Sequence, residues 1–527
     1  MGSTHRVGTM GAGTLATVDD RGTLAVGQLS LRLWAGCVDR WRQPERTPAV
    51  RQQLIDGMPV VRSTLRIPEG ELLWDAFGFV PVGSASPSVA WVTRNESPHP
   101  MAVALVIGGV HTASFSGDSL VVDDLVIRLP RRPRRVLGAC DAAALFTLVT
   151  TEGPDLIDLD EFSGGWVAAV VPLSQAATLT AVVCPAGDTT SPFPVPPEVE
   201  SVARGWIRHL DRGVVFQSGD ADADAVWNRA RTGLVMAPID PPAAASAVAW
   251  AARARLGWTD GLGAAAEMLA FHRGRRGQIE LNDPIDDSMA AMVVWSMLAA
   301  LGAPVDQVDR YAPMVAGAAG WLVGRRGPAL DAVDVRRGVS AMHLAATALA
   351  RAGDRRAAND LTAAVEGLQA TIESRPRLDS TLDGWQVIDL LDGIVAIRPD
   401  GIELLRGWTP EHAGRDLEVR GVPTPTGLVG CAVRWHGPRP ALLWETGGAE
   451  SNGLTAPTLD PSWGSDAAEG EALLAQPAGV SVTILETSVD IVGEGTAGEG
   501  TAGEGTAGEG TAGGEDERSI DPGTSFG

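Results

Sequence analysis

The spacing of apolar residues changes twice along this chain, and each change indicates a different kind of secondary structure. From residue 22 to about 200, short β-branched and apolar segments alternate with turn residues, a pattern typical of β-strands. From about 199 to 375, apolar residues recur at spacings of three and four, as on the buried face of an α-helix. Strand patterning returns from about 384 to 486. The chain is therefore predicted to be an α+β multidomain protein with a helical centre.

Residues 20–190 are predicted to form an N-terminal β-sandwich. Their short strand-like segments, for example Met101–Gly109 and Ser119–Leu129, are separated by Gly, Pro, Asn and Asp turns, and no helix-length periodic stretch interrupts them. Residues 191–198 follow as a Pro-rich linker, because the prolines from Pro192 to Pro197 favour an extended spacer.

The central segment, residues 199–378, is predicted to be an array of about seven helices joined as antiparallel hairpins. One apolar stripe follows the helical spacing at Val335, Val339, Met342, Ala346 and Leu349. Residues 285–301 are apolar on nearly all sides, which is typical of a helix buried among other helices. Residues 384–486 are predicted to form a small C-terminal β domain.

The charge balance is strongly acidic and argues against two classes of partner. The chain has 65 acidic residues against 42 basic ones, all of them arginine, and a net charge of −23. Binding to nucleic acid or to an anionic membrane surface is mostly electrostatic, so neither partner is expected. Residues 487–527 contain a Gly-Glu-Gly-Thr-Ala repeat that buries too little apolar surface to fold, and a disordered tail is predicted there.

The cysteines and the lack of cofactor motifs set further expectations. Cys37, Cys140, Cys184 and Cys431 are far apart and have no spacing typical of a zinc site or a disulfide framework. Reduced thiols, together with the lack of a signal peptide or spanning segment, predict a cytoplasmic protein. The sequence has no Walker A motif, no dinucleotide fingerprint after a strand and no His-x-x-x-His spacing, so neither a cofactor nor a metal is expected.

Several short motifs occur in an order that carries a family resemblance. They are Trp91–Val103 with its Asn-Glu-Ser-Pro corner, Val202–Trp206, Asn282-Asp283-Pro284, Gly421–Gly427 and Val433–Gly437. With the order sandwich, linker, helical hairpins and β domain, they make residues 60–480 resemble the six-hairpin glycosidases, which are glucoamylase-like proteins. The resemblance implies an α/α toroid. A complete toroid of that family has twelve helices, so a chain with about seven resembles a truncated or degenerate actinobacterial relative with a partial toroid.

The resemblance directs attention to carboxylates in the helical segment, because glycoside hydrolysis needs two carboxyl groups flanking the sugar. Most of these carboxylates have a simpler role in capping helices or in complementing the helix dipole. The group that lies at predicted helix starts consists of Asp260, Asp283, Asp286, Asp287, Asp331 and Asp334. Glu280 precedes a helix start without such a role and is the best single catalytic candidate, with Asp283 or Asp287 as its partner. Trp258, Asp260 and Trp295 are the candidates for substrate binding, since tryptophan faces stack on sugar rings.

Three functions follow from these observations. The first is a carbohydrate-related protein that has lost catalysis and binds a glycan or acts as a scaffold. The second is an active glycoside hydrolase that uses a carboxylate pair of the helical segment. The third is a protein-interaction module whose helical array binds an unknown protein partner. Aromatic-Pro-Arg-Asp substrate motifs of active glucoamylases have no counterpart after Trp227, which favours the first function over the second.

Overall fold

A computed structural model describes the chain at residues 4–151, 159–186, 193–240, 245–324, 330–369, 384–398, 400–447 and 453–477. The chain divides into two units, Met1–Val482 and Thr483–Gly527, and every described residue belongs to the first. The predicted disordered tail, residues 487–527, lies outside the described residues, as do residues 187–192 around the start of the predicted linker.

The N-terminal region is one large antiparallel sheet of fifteen strands. The strands are β1 (His5–Thr9), β2 (Gly13–Val18), β3 (Leu24–Val26), β4 (Leu29–Gly36), β5 (Trp41–Arg42), β6 (Val50–Leu54), β7 (Val60–Ile67), β8 (Gly70–Phe79), β9 (Ser88–Glu96), β10 (Met101–Ser116), β11 (Ser119–Val122), β12 (Leu125–Arg128), β13 (Arg135–Ala139), β14 (Leu159–Leu173) and β15 (Thr178–Pro185). The predicted β character of this region is confirmed, whereas its description as a sandwich stays a prediction.

Strand β10 changes its partner along its length and so connects two parts of the sheet. Its first half pairs with β4 on one side and with β14 on the other, and its last four residues pair with β11. The register shifts at Gly109, which has φ +84°. A Cβ there would lie 2.6 Å from the carbonyl oxygen of Gln28, so only glycine permits this bend beside β4.

One helix, α1 (Ala142–Thr150), interrupts the strands, although the sequence analysis predicts none in this region. Asp141 caps it, because its carboxylate accepts a hydrogen bond from the backbone N–H of Ala144 at 2.8 Å. Only Leu145 and Val149 are buried in it, a single i, i+4 pair. A helix with one apolar pair is too short to produce a recognisable periodic pattern.

Nine further helices lie between residues 199 and 394 of the described chain, and eight of them lie in the segment 199–378, where about seven were predicted. They are α2 (Val199–Leu210), α3 (Ala221–Met236), α4 (Ala247–Arg255), α5 (Leu262–Phe271), α6 (Pro284–Ala300), α7 (Val305–Val323), α8 (Ala332–Arg351), α9 (Arg355–Gln369) and α10 (Gly384–Ile394). The alanine-rich α4 is buried along most of its length, so it has no polar face to reveal a helical period. Helix α10 occupies the start of the segment predicted to be the C-terminal β domain.

Helices that are two positions apart in chain order pack against each other. Helix α6 packs against both α4 and α8, and α10 packs against α4. Helices α5 and α9 each pack against α7. Helix α6 is buried continuously from Asp287 to Leu298, as its all-round apolar sequence predicts.

The C-terminal strands form two small sheets. The strands are β16 (Val215–Gln217), β17 (Val395–Arg398), β18 (Gly401–Leu404), β19 (Leu417–Thr424), β20 (Gly427–His436), β21 (Arg439–Thr446), β22 (Leu454–Ala456), β23 (Asp460–Ser465) and β24 (Glu469–Leu473). One sheet has the order β16-β19-β20-β21-β24, and the other has the order β17-β18-β22-β23. Strand β16 precedes the helical hairpins in sequence, so this sheet joins segments from both sides of them.

None of the four cysteines forms a disulfide bond. Within the described part of the chain, no helix has the length and apolar character needed to cross a membrane.

Candidate functional site

The loop between α5 and α6 carries the residues predicted to be catalytic. It begins as a narrow turn in which the backbone N–H of Gly274 donates to the carbonyl oxygen of Gln278 at 2.7 Å. Gly277 has φ +98°, and a Cβ there would lie 2.4 Å from the carbonyl oxygen of Gly317 on α7. The turn can therefore pack this closely on α7 only with glycine at that position.

Glu280 leaves this turn on the exposed side of the protein. Its backbone N–H donates to the carbonyl oxygen of His272 at 3.0 Å. Its side-chain oxygen accepts a hydrogen bond from the Gln278 amide at 2.5 Å. The carboxylate is thus solvated and belongs to the loop surface.

Asp283 and Asp287 hold the start of α6. Asp283 is exposed and is the N-cap, accepting from the backbone N–H groups of Ile285 at 2.9 Å and Asp286 at 3.1 Å. Asp287 is 2% exposed and accepts from the backbone N–H groups of Leu281 at 2.9 Å and Asn282 at 2.5 Å. Burial raises the pKa of Asp287, and these two backbone hydrogen bonds oppose that rise.

The predicted substrate-binding residues lie elsewhere. Trp295 is fully buried and donates to the carbonyl oxygen of Val308 at 2.9 Å. It stands eleven residues beyond Pro284 along α6, a rise of ~16 Å. In this arrangement neither face of the Trp295 ring is available to a ligand. The carboxylates at the start of α6 and this ring do not form one site.

Trp258 and Asp260 lie in the turn before α5. Trp258 is 5% exposed and stacks on the ring of His209 with a centroid distance of 6.1 Å. Asp260 is exposed and does not cap α5, because the N-cap is Gly261 in a left-handed conformation with φ 75°. The predicted capping role of Asp260 is therefore wrong, since glycine adopts this conformation without steric cost.

A row of polar side chains that the sequence analysis missed lies between α8 and α10. The indole N–H of Trp385 donates to Asp286 at 2.7 Å, and this bond joins the starts of α10 and α6. The Arg337 guanidinium lies 5.1 Å from the Trp385 ring centroid and donates to Asp389 at 3.0 Å. Burial raises the pKa of Asp286 and of Asp389.

The row continues toward the other end of α10 at Asp392. The guanidinium of Arg255, at the end of α4, donates to Asp392 at 2.7 Å and to the carbonyl oxygen of Pro423 at 2.6 Å. The Ser340 hydroxyl also donates to Asp392. We call this row the polar seam, and it consists of Arg255, Asp286, Arg337, Ser340, Trp385, Asp389 and Asp392.

A sequence signal for the polar seam exists. Trp385, Asp389 and Asp392 are spaced by four and three residues, so they share one face of a helix. Arg337 and Ser340 are spaced by three residues on α8 and bond to that face. The sequence analysis located helices from the spacing of apolar residues, and this face of α10 was not found because it is polar.

The described residues include no group of three or more His, Cys, Asp or Glu side chains arranged to hold a metal ion.

Comparison with known proteins gives only distant similarities. No family model and no curated protein matches the sequence. The chain is similar to a bacterial glucoamylase complexed with acarbose, with 10% identity and a TM-score of 0.47, over 70% of this chain and 68% of that one. It is also similar to a family GH92 glycosyl hydrolase, with 12% identity and a TM-score of 0.27, over 70% of this chain and 61% of that one. A family GH92 inverting mannosidase from Bacteroides thetaiotaomicron has 8% identity and a TM-score of 0.29, over 72% of this chain and 64% of that one. At these values the similarities assign neither a family nor a function.

The buried carboxylate of Asp287 gives a direct test of the α6 start. We expect Asp287→Ala to lower the free energy of unfolding by about 1–3 kcal/mol, because two partly buried backbone N–H groups lose their acceptor. Urea unfolding measures the change. The matched control is Asp283→Ala, which removes an exposed cap and is expected to cost about 1 kcal/mol or less. A larger loss in the control than in Asp287→Ala contradicts this account.

Proposed function

We propose that this protein is a carbohydrate-related protein of the six-hairpin glycosidase type that binds a glycan or acts as a scaffold without catalysis. The order of its elements supports the carbohydrate class. A large antiparallel sheet, helical hairpins and a second β region follow one another, as the family resemblance implies. The packing of α3 against α4, of α5 against α6 and of α7 against α8 supports a partial toroid built from helical hairpins.

The carboxylates at the start of α6 accept hydrogen bonds from the backbone, and this supports a protein without catalytic activity. A glycosidase needs one protonated carboxyl group and one carboxylate directed at the sugar from opposite sides. Asp283 instead caps α6, and Asp287 is enclosed by two backbone donors. Glu280 is exposed and hydrogen-bonded within its own loop. Each of the three predicted catalytic groups therefore has a structural role or a solvated position.

A test of hydrolysis addresses this proposal directly. We expect the purified full chain to release no reducing sugar from starch, trehalose or other α-glucans. Reducing-end assays over long incubations at several pH values measure it, with the Glu280→Gln variant prepared in parallel. Release of sugar by the wild-type chain that Glu280→Gln abolishes would overturn the proposal and establish a hydrolase.

A second candidate function is an active glycoside hydrolase, and one observation favours it. Burial raises the pKa of both Asp286 and Asp287, and a general acid requires such a rise. If this candidate holds, Asp286→Asn removes activity although Glu280→Gln does not. The two variants therefore separate a hydrolase that uses the polar seam from one that uses the α5–α6 loop.

The proposal also includes the cellular compartment of the protein and the class of its partner. Four cysteines without disulfide bonds support a reducing compartment, the cytoplasm. The strongly acidic charge supports a partner other than nucleic acid.

A further inference from the structure

A small cavity lies between three turns of the N-terminal sheet. Its lining comes from the ends of β4 and β7 and from the segment before β10, and consists of Cys37, Val38, Ile67, Pro68 and four residues between Ser97 and Met101. Its volume is about 10 Å³. One water molecule needs about 10–15 Å³ on this scale, so the cavity has room for a single particle of that size. Three of the lining residues, Cys37, His99 and Met101, are types that can ligate a metal ion.

The register of the sheet brings Cys37 and Met101 together. In the pairing of β4 with β10, Gly36 lies opposite Ala102. Cys37 follows Gly36 and Met101 precedes Ala102, so the same antiparallel register places these two residues opposite each other. Directly opposite residues have their side chains on one face, with Cβ atoms ~4.5–5.5 Å apart. Met101 is buried and Cys37 is half-buried, and both contact the same apolar core. The thiol and the thioether therefore lie side by side at the cavity wall.

His99 is held beside them by a buried turn. The side-chain amide of Asn95, a residue with 0% exposure, donates to the carbonyl oxygen of His99 at 2.8 Å. The hydroxyl of Ser97, which is also buried, lies 3.0 Å from the same carbonyl oxygen. Both residues belong to the Asn-Glu-Ser-Pro corner between β9 and β10. This corner therefore fixes the backbone of His99 two residues before Met101.

Glu69 orients the ring of His99. Its carboxylate lies 3.0 Å from the ring nitrogen Nε2, whereas Nδ1 makes no hydrogen bond with any described residue. Glu69 belongs to the turn between β7 and β8, and Gly70 lets this turn lie close to the Asn-Glu-Ser-Pro corner, because a Cβ there would be 2.7 Å from the Cα of Ser97. Histidines that bind metals commonly have one ring nitrogen bonded to a carboxylate, which leaves the other for the ion. In His99 the nitrogen left for an ion is Nδ1.

The charges beside Cys37 favour the thiolate that a metal ion requires. Burial raises the pKa of the Cys37 thiol, and the Arg42 guanidinium opposes that rise. Arg42 is paired with Asp39 through hydrogen bonds of 2.7 and 2.8 Å, so its own charge is balanced. A monovalent cation that displaces the thiol proton into water leaves the net charge of the cavity unchanged.

We propose that Cys37, His99 and Met101 bind a soft metal ion, Cu(I), in this cavity. Thiolate and thioether sulfur atoms select soft ions, and imidazole is a common copper ligand. Zinc is bound by Cys, His, Asp and Glu, so the thioether of Met101 favours Cu(I) over Zn²⁺. The proposal goes beyond the function proposed above and does not depend on it, because the site lies in the N-terminal sheet and is tested with the metal alone.

The first test measures Cu(I) binding to the full chain in the absence of oxygen, by competition with the coloured chelator bicinchoninate. Wild type is expected to bind one Cu(I) per chain, and Cys37→Ser and His99→Gln to bind it at least ~10-fold more weakly. Glu69→Gln removes the partner of Nε2 and is expected to weaken binding by ~10-fold or more. The matched control is Cys140→Ser, which removes an exposed thiol elsewhere in the sheet and is expected to bind as wild type does.

Met101→Leu tests the thioether, because leucine keeps the apolar volume of methionine and lacks its sulfur. This variant is expected to bind Cu(I) at least ~10-fold more weakly than wild type. The matched control is Met58→Leu, since Met58 is 5% exposed and Met101 is 7% exposed. Its affinity for Cu(I) is expected to equal that of wild type. The Tm of each variant without metal shows whether it is folded.

The second test identifies the atoms that bind the ion. X-ray absorption at the copper edge is expected to show two sulfur neighbours and one nitrogen neighbour in the loaded wild-type chain. Ag(I), a soft ion that does not change its oxidation state here, is expected to raise the Tm of wild type and not that of Cys37→Ser. Copper with sulfur neighbours alone overturns the proposal, as does equal Cu(I) affinity in wild type and Met101→Leu. A wild-type chain that binds Cu(I) no more tightly than Cys37→Ser also overturns it.

Discussion

Replacing Asp392 by alanine is expected to lower the free energy of unfolding by about 3–5 kcal/mol. The partner of Asp392, Arg255, has a side chain with 0% exposure, and Asp392 itself is 13% exposed. Without the carboxylate, the guanidinium of Arg255 stays buried with only the carbonyl oxygen of Pro423 as an acceptor. The loss is large because the remaining charge cannot return to water without opening the packing between α4, α10 and β19.

Two further variants determine whether the burial of the remaining charge causes this loss. The double variant Arg255→Met/Asp392→Ala removes both charges and is expected to recover most of the stability, since a buried ion pair adds little net free energy. The exposed pair of Arg310 and Glu267, at 65% and 63% exposure, provides the control. Glu267→Ala is expected to change the free energy of unfolding by about 1 kcal/mol or less. Urea unfolding of the four chains compares them, and a double variant less stable than Asp392→Ala contradicts the explanation.

Lowering the pH from about 6.5 to about 4 is expected to cost about 3 kcal/mol of stability through His343 alone. Burial is the main reason that the pKa of His343 is lowered from 6.5 to about 4. The charges of Arg398 and Arg406 act in the same direction, and the bond to Ile397 and the charge of Asp400 oppose them. In the unfolded chain the ring takes up a proton near pH 6.5, and in the folded protein it does so only near pH 4. Between these values the unfolded state binds more protons, so stability falls as the pH falls.

The matched variants for this prediction are His343→Gln and His111→Gln. Glutamine at 343 retains a donor for the Ile397 carbonyl oxygen and has no titrating group, so the pH-dependent loss between pH 6.5 and 4 is expected to shrink by about 3 kcal/mol. His111 has a side chain that is 82% exposed, and its replacement is expected to leave the profile as it is. Urea unfolding at half-unit pH steps measures the profiles. Superimposable wild-type and His343→Gln profiles contradict a buried neutral ring.

The helix starts could be predicted from sequence because capping is a local interaction. Asp283 and Asp331 were predicted as caps, and each accepts a hydrogen bond from a backbone N–H two residues ahead. The prediction for Asp260 is wrong because Gly261, the next residue, begins the helix instead. At that position a glycine in the left-handed conformation takes the place of a side-chain cap. The sequence contains both the aspartate that could cap the helix and the glycine that begins it.

The spacing of the seam residues along α10 is visible in the sequence, but their partners on other helices could not be predicted in the same way. Asp392 and Arg255 are separated by 137 positions, and nothing near either residue indicates the other. Trp295 illustrates a second limit, because a tryptophan suits a sugar platform and a helical core equally well, and only its burial separates the two. The position of helix α6 as a buried helix, in contrast, could be predicted because its sequence is apolar on nearly all sides.

The pairing of β16 with β19 has a consequence for the order in which the chain can fold during its synthesis. Val215 pairs with Arg420, and helices α3 to α10 are made between these two residues. At ~5–20 residues per second, a separation of about 200 residues keeps β16 without its partner for ~10–40 s. The helical hairpins are complete before the strand that joins β16 leaves the ribosome. A chain that stops at residue 378 therefore presents an unpaired strand, and the helical region depends on its C-terminal neighbour to cover that edge.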